Sequence, residues 1–207
     1  TIEEEQHEKD LMKLSEEMKG SLKFEEMKQL EELVDLPIER IVFDSETEGI
    51  EKVGKEGSKF QESVMNKNNL IFYIESEEGD RFGYFMNKKV KKFGDCVVDD
   101  ENGFLFTLNN EMMKIDINRS NSIIIHHYQK EKLIEIGKEN IVIMKGKEKE
   151  SKCESLSNFD CDNTFKLLPN DRKTFTMKRI VVLQCNETEE MKEMKKLDKN
   201  NQFEIEK

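Results

Sequence analysis

The sequence predicts a mostly β fold of the α+β class: an antiparallel two-sheet β-sandwich flanked by short helices. Three observations support this. Short runs with strand character recur between residues 38 and 186, and from residue 103 to residue 144 they do so at intervals close to ten residues, a spacing typical of β-sandwiches. Residues 1–36 are rich in Glu, Lys, Leu and Met and contain no Pro, which favours a helical, coiled-coil-like extension. Residues 187–207 share that composition and predict a charged C-terminal helix or tail.

Charge is distributed unevenly along the 207 residues, whose formal net charge is −11. Residues 1–36 hold twelve acidic residues and five lysines, and residues 187–207 hold seven acidic residues and five lysines. The stretch between them is therefore nearly neutral and long enough to bury a core. No apolar run approaches the ~20 residues of a membrane-spanning helix, and no signal peptide is visible. We therefore expect a cytoplasmic protein, with a nuclear location also open.

The N-terminal segment predicts a helix over residues 2–34. Gly20-Ser21 could divide this helix in two, and Pro37 ends it because the residue before a proline is disfavoured in helices. Its apolar residues follow the three-then-four spacing of a coiled-coil seam: Leu11, Leu14, Met18, Met27, Leu30 and Val34. We expect this stripe to mediate self-association or partner binding. The alternative is that it folds back on the domain as part of a core.

The middle of the chain predicts nine short strands and one short helix. The helix covers Gly57–Met65, with Phe60 and Val64 one turn apart on one face. Residues 145–162 are polar and predict a loop. The strands are predicted over residues 38–43, 70–74, 81–86, 103–108, 112–117, 123–126, 132–136, 141–144 and 175–185.

Candidate catalytic and metal-binding residues are few. Ser45 has acidic neighbours but lacks a Gly-x-Ser-x-Gly elbow. His126 and His127 would point to opposite faces of a strand, so they do not predict a metal site. Asp99–Gly103 resembles a calcium loop only in composition, and its spacing favours a solvated turn. None of the four cysteines forms a Cys-x-x-Cys pair, so we expect reduced thiols and neither a metal nor a cofactor. These cysteines are Cys96, Cys153, Cys161 and Cys185.

One dense basic run is present, and it consists of Lys88, Lys89, Lys91 and Lys92. Such a run can contact the phosphates of a nucleic acid or an anionic lipid, although solvated strand ends carry similar runs. With Arg81 or Arg179 nearby it gives one alternative, a stress-linked regulator that binds nucleic acid. The overall acidity argues against this alternative. A further alternative is an unrecognised hydrolase or redox enzyme that uses Ser45 or a cysteine.

Several short motifs occur in a characteristic order between about residues 38 and 186. A strand ends at a serine and is followed by a glycine and a helix with a spaced phenylalanine. A hairpin carries a Phe-Gly-x-Tyr signature shortened by one residue, a Phe-Leu-Phe-x-Leu strand follows, and a later glycine precedes an apolar strand. In this order the motifs resemble the TLDc domain family over about residues 38–186, and residues 175–183 resemble its closing strand. Two departures are the ending Gln-Cys-Asn after that strand and the absence of Trp, since the family usually has an aromatic or Trp-rich stretch before the Phe-Leu-Phe strand. The positions that carry the resemblance are Ser45, Gly49, Phe60, Phe82, Gly83, Tyr84, Phe104, Phe106 and Gly137.

The resemblance implies a β-sandwich of two antiparallel sheets flanked by short helices. Family members are linked to protection against oxidative stress, several bind the vacuolar proton pump and regulate its assembly, and no catalytic mechanism is established for them. A coiled coil before such a domain also resembles uncharacterised amoebozoan proteins. The leading interpretation is therefore a non-enzymatic intracellular interaction protein whose partners are other proteins.

Overall fold

A computed structural model describes residues 1–50, 53–54, 57–91, 97–117, 123–127, 131–146, 148–186 and 193. Its helices are α1 (Ile2–Glu17), α2 (Phe24–Val34), α3 (Ser45–Glu48) and α4 (Lys59–Val64). Its strands are β1 (Ile38–Asp44), β2 (Val53–Gly54), β3 (Gly57–Ser58), β4 (Leu70–Ser76), β5 (Arg81–Met86), β6 (Val97–Val98), β7 (Phe104–Thr107), β8 (Met113–Asp116), β9 (Ile123–Ile125), β10 (Lys132–Ile136), β11 (Ile141–Met144), β12 (Ser151–Cys153), β13 (Thr174–Phe175) and β14 (Met177–Cys185).

The N-terminal segment forms a helical hairpin, α1 and α2, rather than one long helix. Thr1 caps α1 through its side chain, and Glu4 returns a hydrogen bond in a capping box. The break falls where Gly20 adopts a φ of +80°, a conformation that glycine adopts without steric cost. Asp35, in the left-handed region, ends α2. The division predicted at Gly20-Ser21 is therefore confirmed.

Two antiparallel six-stranded sheets form the sandwich among the described residues. The first has the order β1-β14-β4-β5-β7-β8, and the second has the order β13-β12-β11-β10-β9-β6. Large apolar side chains from both sheets fill the space between them, among them Phe72, Phe82, Ile134 and Ile143. The predicted mostly β sandwich is confirmed. A short ladder of β2 and β3 accompanies it.

A second apolar core lies on the other face of the first sheet, beneath the helical hairpin. The six stripe residues expected to mediate self-association are each 8% exposed or less. They pack with sheet residues that include Ile71, Tyr73, Phe106 and Leu183. The stripe therefore folds back on its own domain as part of a core, which is the alternative given above, and its residues are not accessible for self-association or partner binding while the hairpin covers the sheet. The physical reason is that the outer face of the first sheet is itself apolar and needs a cover.

Other segments differ from the sequence-based expectations in smaller ways. The predicted loop over residues 145–162 contains β12, which pairs with β11 and β13. A single helical turn, α3, follows β1 and was not predicted from the sequence. The predicted charged C-terminal helix or tail over residues 187–207 lies outside the described residues except for residue 193. None of the described helices is both long and apolar enough to cross a lipid bilayer.

Candidate functional site

Ser45 and Asp44, at the end of β1, take part in structural contacts. The Asp44 carboxylate accepts two hydrogen bonds from Arg179, at 3.0 Å from Nε and 2.7 Å from Nη2. The Ser45 hydroxyl accepts a hydrogen bond of 2.9 Å from the backbone N–H of Ile180. These contacts join β1 to β14. The serine that follows this strand therefore has a structural role in this chain, because its hydroxyl is hydrogen-bonded to β14.

The turn of the helical hairpin is held on the first sheet by polar side chains. Arg179 also donates to the carbonyl of Met18 at 2.9 Å. Tyr73 donates to the carbonyl of Ser21 at 2.9 Å, and the Ser21 hydroxyl donates to Glu75. Burial raises the pKa of Glu75, but hydrogen bonds from Lys178 and Ser21 outweigh it and the pKa lies below its ordinary value. The hairpin turn is therefore fixed by charge-assisted hydrogen bonds.

Arg81 connects α2 to the first sheet and to the turn between β7 and β8. Its guanidinium donates to both carboxylate oxygens of Glu26, at 2.9 and 2.8 Å, and to the carbonyl of Leu108 at 3.4 Å. Burial raises the pKa of Glu26, but the hydrogen bonds from Arg81 and Lys23 outweigh it, so the pKa is lowered overall. The backbone N–H of Arg81 donates to the Asn109 side-chain carbonyl at 2.7 Å.

The glycines of the motifs make room for aromatic rings. A Cβ on Gly83 would lie 2.1 Å from the carbonyl oxygen of Phe72 and 2.4 Å from the Phe106 ring. A Cβ on Gly137 would lie 2.4 Å from the ring of Phe159, and Gly137 also has a φ of +65°. Both glycines are therefore required by packing. Phe60, Phe82, Tyr84 and Phe104 are buried core residues as well.

The basic run does not form one site with the arginines grouped with it. Lys88, Lys89 and Lys91 are exposed, and Lys92 lies outside the described residues. Arg81 and Arg179 are instead bound to Glu26 and Asp44 beneath the hairpin. Arg81 and Arg179 are therefore not part of the patch expected for nucleic-acid binding. The interaction of the lysines with phosphates stays a prediction.

The described cysteines are poorly placed for thiolate chemistry. Burial raises the pKa of Cys153 and of Cys185 to about 12, and burial also raises the pKa of the half-buried Cys161. All three are free thiols. Cys153 and Cys161 both line a cavity of about 500 Å³ beneath the loop of residues 153–173. Cys96 lies outside the described residues.

The remaining polar candidates form no metal-binding cluster in the part of the chain that the structure describes. His126 lies just beyond β9, with its Nε2 3.1 Å from the carboxylate of the buried Glu135.

The expected solvated turn at residues 99–103 is wrong at Asp100, which is only 1% exposed. Asp100 accepts a backbone hydrogen bond of 2.6 Å from Asn87, and burial raises its pKa. Asp100 therefore serves to hold the end of β5.

An open groove of about 680 Å³ lies between α2 and the turn that joins β7 to β8. Its lining residues are Glu26, Gln29, Glu32, Leu33, Arg81, Leu108, Asn109, Asn110, Glu111 and Met112. Leu33 and Met112 are half-buried, whereas Glu32 and Glu111 are exposed. The volume is within the range of about 300–1,000 Å³ found for ligand pockets. We refer to this feature as the α2 groove.

Sequence reasoning missed the α2 groove, although part of its signal was present. Glu26, Gln29 and Leu33 follow a spacing of three and then four residues, which places them on one side of a helix. The turn at Asn109-Asn110 was predicted. Only the fold shows that this turn lies beside α2, because the two segments are far apart in the sequence.

The fold and these contacts define a class of protein: an antiparallel two-sheet sandwich with a helical hairpin bound to one sheet and an open groove beside it. A family model for the TLDc domain matches residues 49–192. The chain therefore belongs to the TLDc domain family. No curated protein matches the chain.

Proposed function

We propose that this TLDc-family chain is a non-enzymatic protein that acts by binding other proteins. The family resemblance suggests two settings for this role, the response to oxidative stress and the regulation of the vacuolar proton pump. The compartment that fits both is the cytoplasm. Binding of nucleic acid through the lysine run, and catalysis by Ser45 or a cysteine, are the alternatives.

The observation that carries the proposal is the structural use of the candidate nucleophile. The Ser45 hydroxyl accepts a hydrogen bond from Ile180 across the strands, and the adjacent Asp44 binds Arg179. A serine nucleophile needs a general base within hydrogen-bond reach, and the Asp44 carboxylate is already used by a guanidinium. The raised thiol pKa values support the same proposal, because the thiolate is the reactive form of cysteine.

The proton-pump setting can be tested with vacuolar vesicles. The chain of 207 residues is mixed with vesicles that carry the complete pump, and with vesicles from which the soluble sector of the pump has been washed away. We expect saturable co-sedimentation with the complete vesicles only. Equal binding to both preparations and to vesicles of lipid alone would indicate a lipid interaction and would contradict the pump assignment.

The non-enzymatic assignment can be tested in cells under oxidative stress. We expect chains with alanine at Ser45, Cys153, Cys161 or Cys185 to protect cells as well as the parent does. Each variant is first checked for folding by circular dichroism. Loss of protection by a folded Ser45→Ala chain would instead favour the hydrolase alternative, and loss by a folded cysteine variant would favour the redox alternative.

A further inference from the structure

The α2 groove combines an apolar floor with an acidic rim. Leu33 and Met112 supply half-buried apolar surface that packs on the second core. Glu32 and Glu111 stand exposed on the two sides, and neither forms a salt bridge within the described parts of the chain. Because Glu26 is neutralised by Arg81, the acidic character of the groove comes from these two rim residues. The complementary surface is apolar with flanking positive charges.

The groove is also held in shape before any partner arrives. Arg81 binds Glu26 on α2 and the Leu108 carbonyl in the turn. Asn109 accepts a hydrogen bond from the Arg81 backbone and donates one of 3.0 Å to the carbonyl of Leu167. Both walls are thus fixed to the first sheet. A preformed site binds more tightly because less conformational entropy is lost on association.

A helix fits this groove better than an extended strand. The backbone N–H of Leu108 already donates to the carbonyl of Arg81, and that of Asn109 donates to the hydroxyl of Thr107. An added strand would need such groups for its own ladder, whereas a helix satisfies its backbone internally. The 11 residues of α2 span about 16 Å, which is about three turns of a partner helix.

We propose that the α2 groove binds a basic amphipathic helix of a partner protein. The apolar side chains of that helix lie on Leu33 and Met112, and its Lys or Arg side chains lie beside Glu32 and Glu111. This inference rests on the proposed function as a protein-binding chain, and it specifies the chemical character of the partner and the site at which it binds.

The test uses the full chain and a synthetic helical peptide of about 18 residues, which is long enough to cover the groove. Leu occupies the positions i, i+3, i+4 and i+7, and Lys occupies the others. A second peptide carries Glu in place of Lys. We expect saturable binding of the basic peptide by fluorescence anisotropy, and binding at least about tenfold weaker for the acidic peptide.

Two matched charge reversals locate the binding site. The variant Glu32→Lys/Glu111→Lys changes the rim, and the control Glu3→Lys/Glu5→Lys makes the same change in net charge at exposed positions of α1. We expect about tenfold weaker binding of the basic peptide for the rim variant and less than about twofold for the control. Met112→Asp should weaken binding to a similar degree through the apolar floor. Unchanged thermal unfolding shows that each variant is folded.

Two outcomes would overturn the inference: no saturable binding of the basic peptide, or equal weakening by the rim and control variants, since the latter indicates attraction to net charge alone. The vesicle assay separates this inference from the proposed function. If the parent chain binds pump-bearing vesicles and the folded rim variant binds them equally well, the groove inference fails while the proposed function stands. If the parent chain does not bind them, the pump assignment fails whatever the peptide shows.

Discussion

Among single residues, the buried Asp44–Arg179 pair joins parts of the chain that are distant in sequence. It connects the end of β1 to β14, and Arg179 also binds the carbonyl of Met18 in the hairpin turn. The two side chains are only 8% and 5% exposed. Such a pair adds little stability compared with an apolar pair, but the loss of one partner leaves an uncompensated buried charge.

We therefore predict that Asp44→Ala lowers the free energy of unfolding by about 3–5 kcal/mol. The buried Arg179 guanidinium then loses its two hydrogen bonds to Asp44 and keeps as a counter-ion only the exposed Glu46 carboxylate, 3.6 Å from its Nη1. Urea unfolding followed by circular dichroism measures the change. The control is Glu154→Ala, which removes the exposed ion pair with Lys152 and should leave stability nearly unchanged. Equal effects of the two substitutions would show that the Asp44 pair is solvated.

Gly83 is the second residue on which the fold depends, and the reason is space rather than backbone conformation. The Phe106 ring lies over it on the sheet face that the hairpin covers. A side chain at this position would displace that ring and press on the backbone of β4.

We predict that Gly83→Ala costs at least about 3 kcal/mol of stability, because the new methyl group has no room in a packed core. Gly79→Ala is the matched control. Its Cβ meets nothing within 4 Å, and only its φ of +91° opposes alanine, a penalty of about 1–2 kcal/mol. Thermal and urea unfolding of both variants provide the comparison. A smaller loss for Gly83→Ala than for Gly79→Ala would contradict the packing argument.

At the scale of elements, the hairpin of α1 and α2 is a cover for the first sheet. Its stripe has the spacing of a coiled coil, and the same spacing serves a helix that packs on a sheet. The distinction depends on what lies opposite, and the sheet presents Ile71, Phe106 and Leu183 there. Self-association through this stripe would require the hairpin to leave the sheet.

We predict that Leu30→Ala lowers stability by about 2–5 kcal/mol, since a fully buried leucine is truncated and leaves a cavity. The control is Met12→Ala on α1, where the side chain is 51% exposed and little change is expected. Light scattering should give the parent and both variants the same molar mass. A parent dimer that Leu30→Ala dissociates would restore the self-association role of the stripe.

The strands that could be predicted from the sequence are those rich in β-branched and aromatic residues. The bounds of β5, β10 and β11 agree with the prediction residue for residue, because short, predominantly apolar runs bounded by polar turns have few other solutions. By contrast, β12 consists of Ser-Lys-Cys within a charged segment. Its strand conformation comes from pairing with β11 and β13, a tertiary effect that local pattern does not contain.

The candidate site was less predictable than the fold. Sequence pattern could indicate that Ser45 lacks an elbow and that the cysteines lack metal spacing. The pairing of Arg81 with Glu26 joins residues 55 positions apart, and no local period encodes it. The α2 groove depends on this long-range contact, so it became visible only in the folded molecule.

At the scale of the whole molecule, two cores share the first sheet. Tyr84 belongs to the core between the sheets, and Tyr73 belongs to the core beneath the hairpin. Strands β4, β5 and β14 contribute side chains to both. Disruption of one core therefore removes one side of the other.

We predict that the β-sandwich and the helical hairpin of α1 and α2 unfold in one cooperative transition. In urea, the near-ultraviolet signal of the tyrosines and the far-ultraviolet signal of the backbone should have the same midpoint, as two-state unfolding requires. Leu30→Ala should move both midpoints together. Earlier loss of helical signal in the parent chain would show that the hairpin is an independent unit.

The place of β14 in the first sheet has a consequence for synthesis on the ribosome. Ile38 of β1 pairs with Cys185 of β14, so β1 cannot pair with β14 until the intervening chain has been translated. That translation takes roughly 7–30 s at about 5–20 residues per second. During that time β4 also lacks its neighbour on that side. The hairpin emerges before the sheet, and its apolar stripe has no complete sheet to cover. The nascent chain therefore passes through a period in which this surface is open to chaperones, and folding is completed only after translation has passed residue 185.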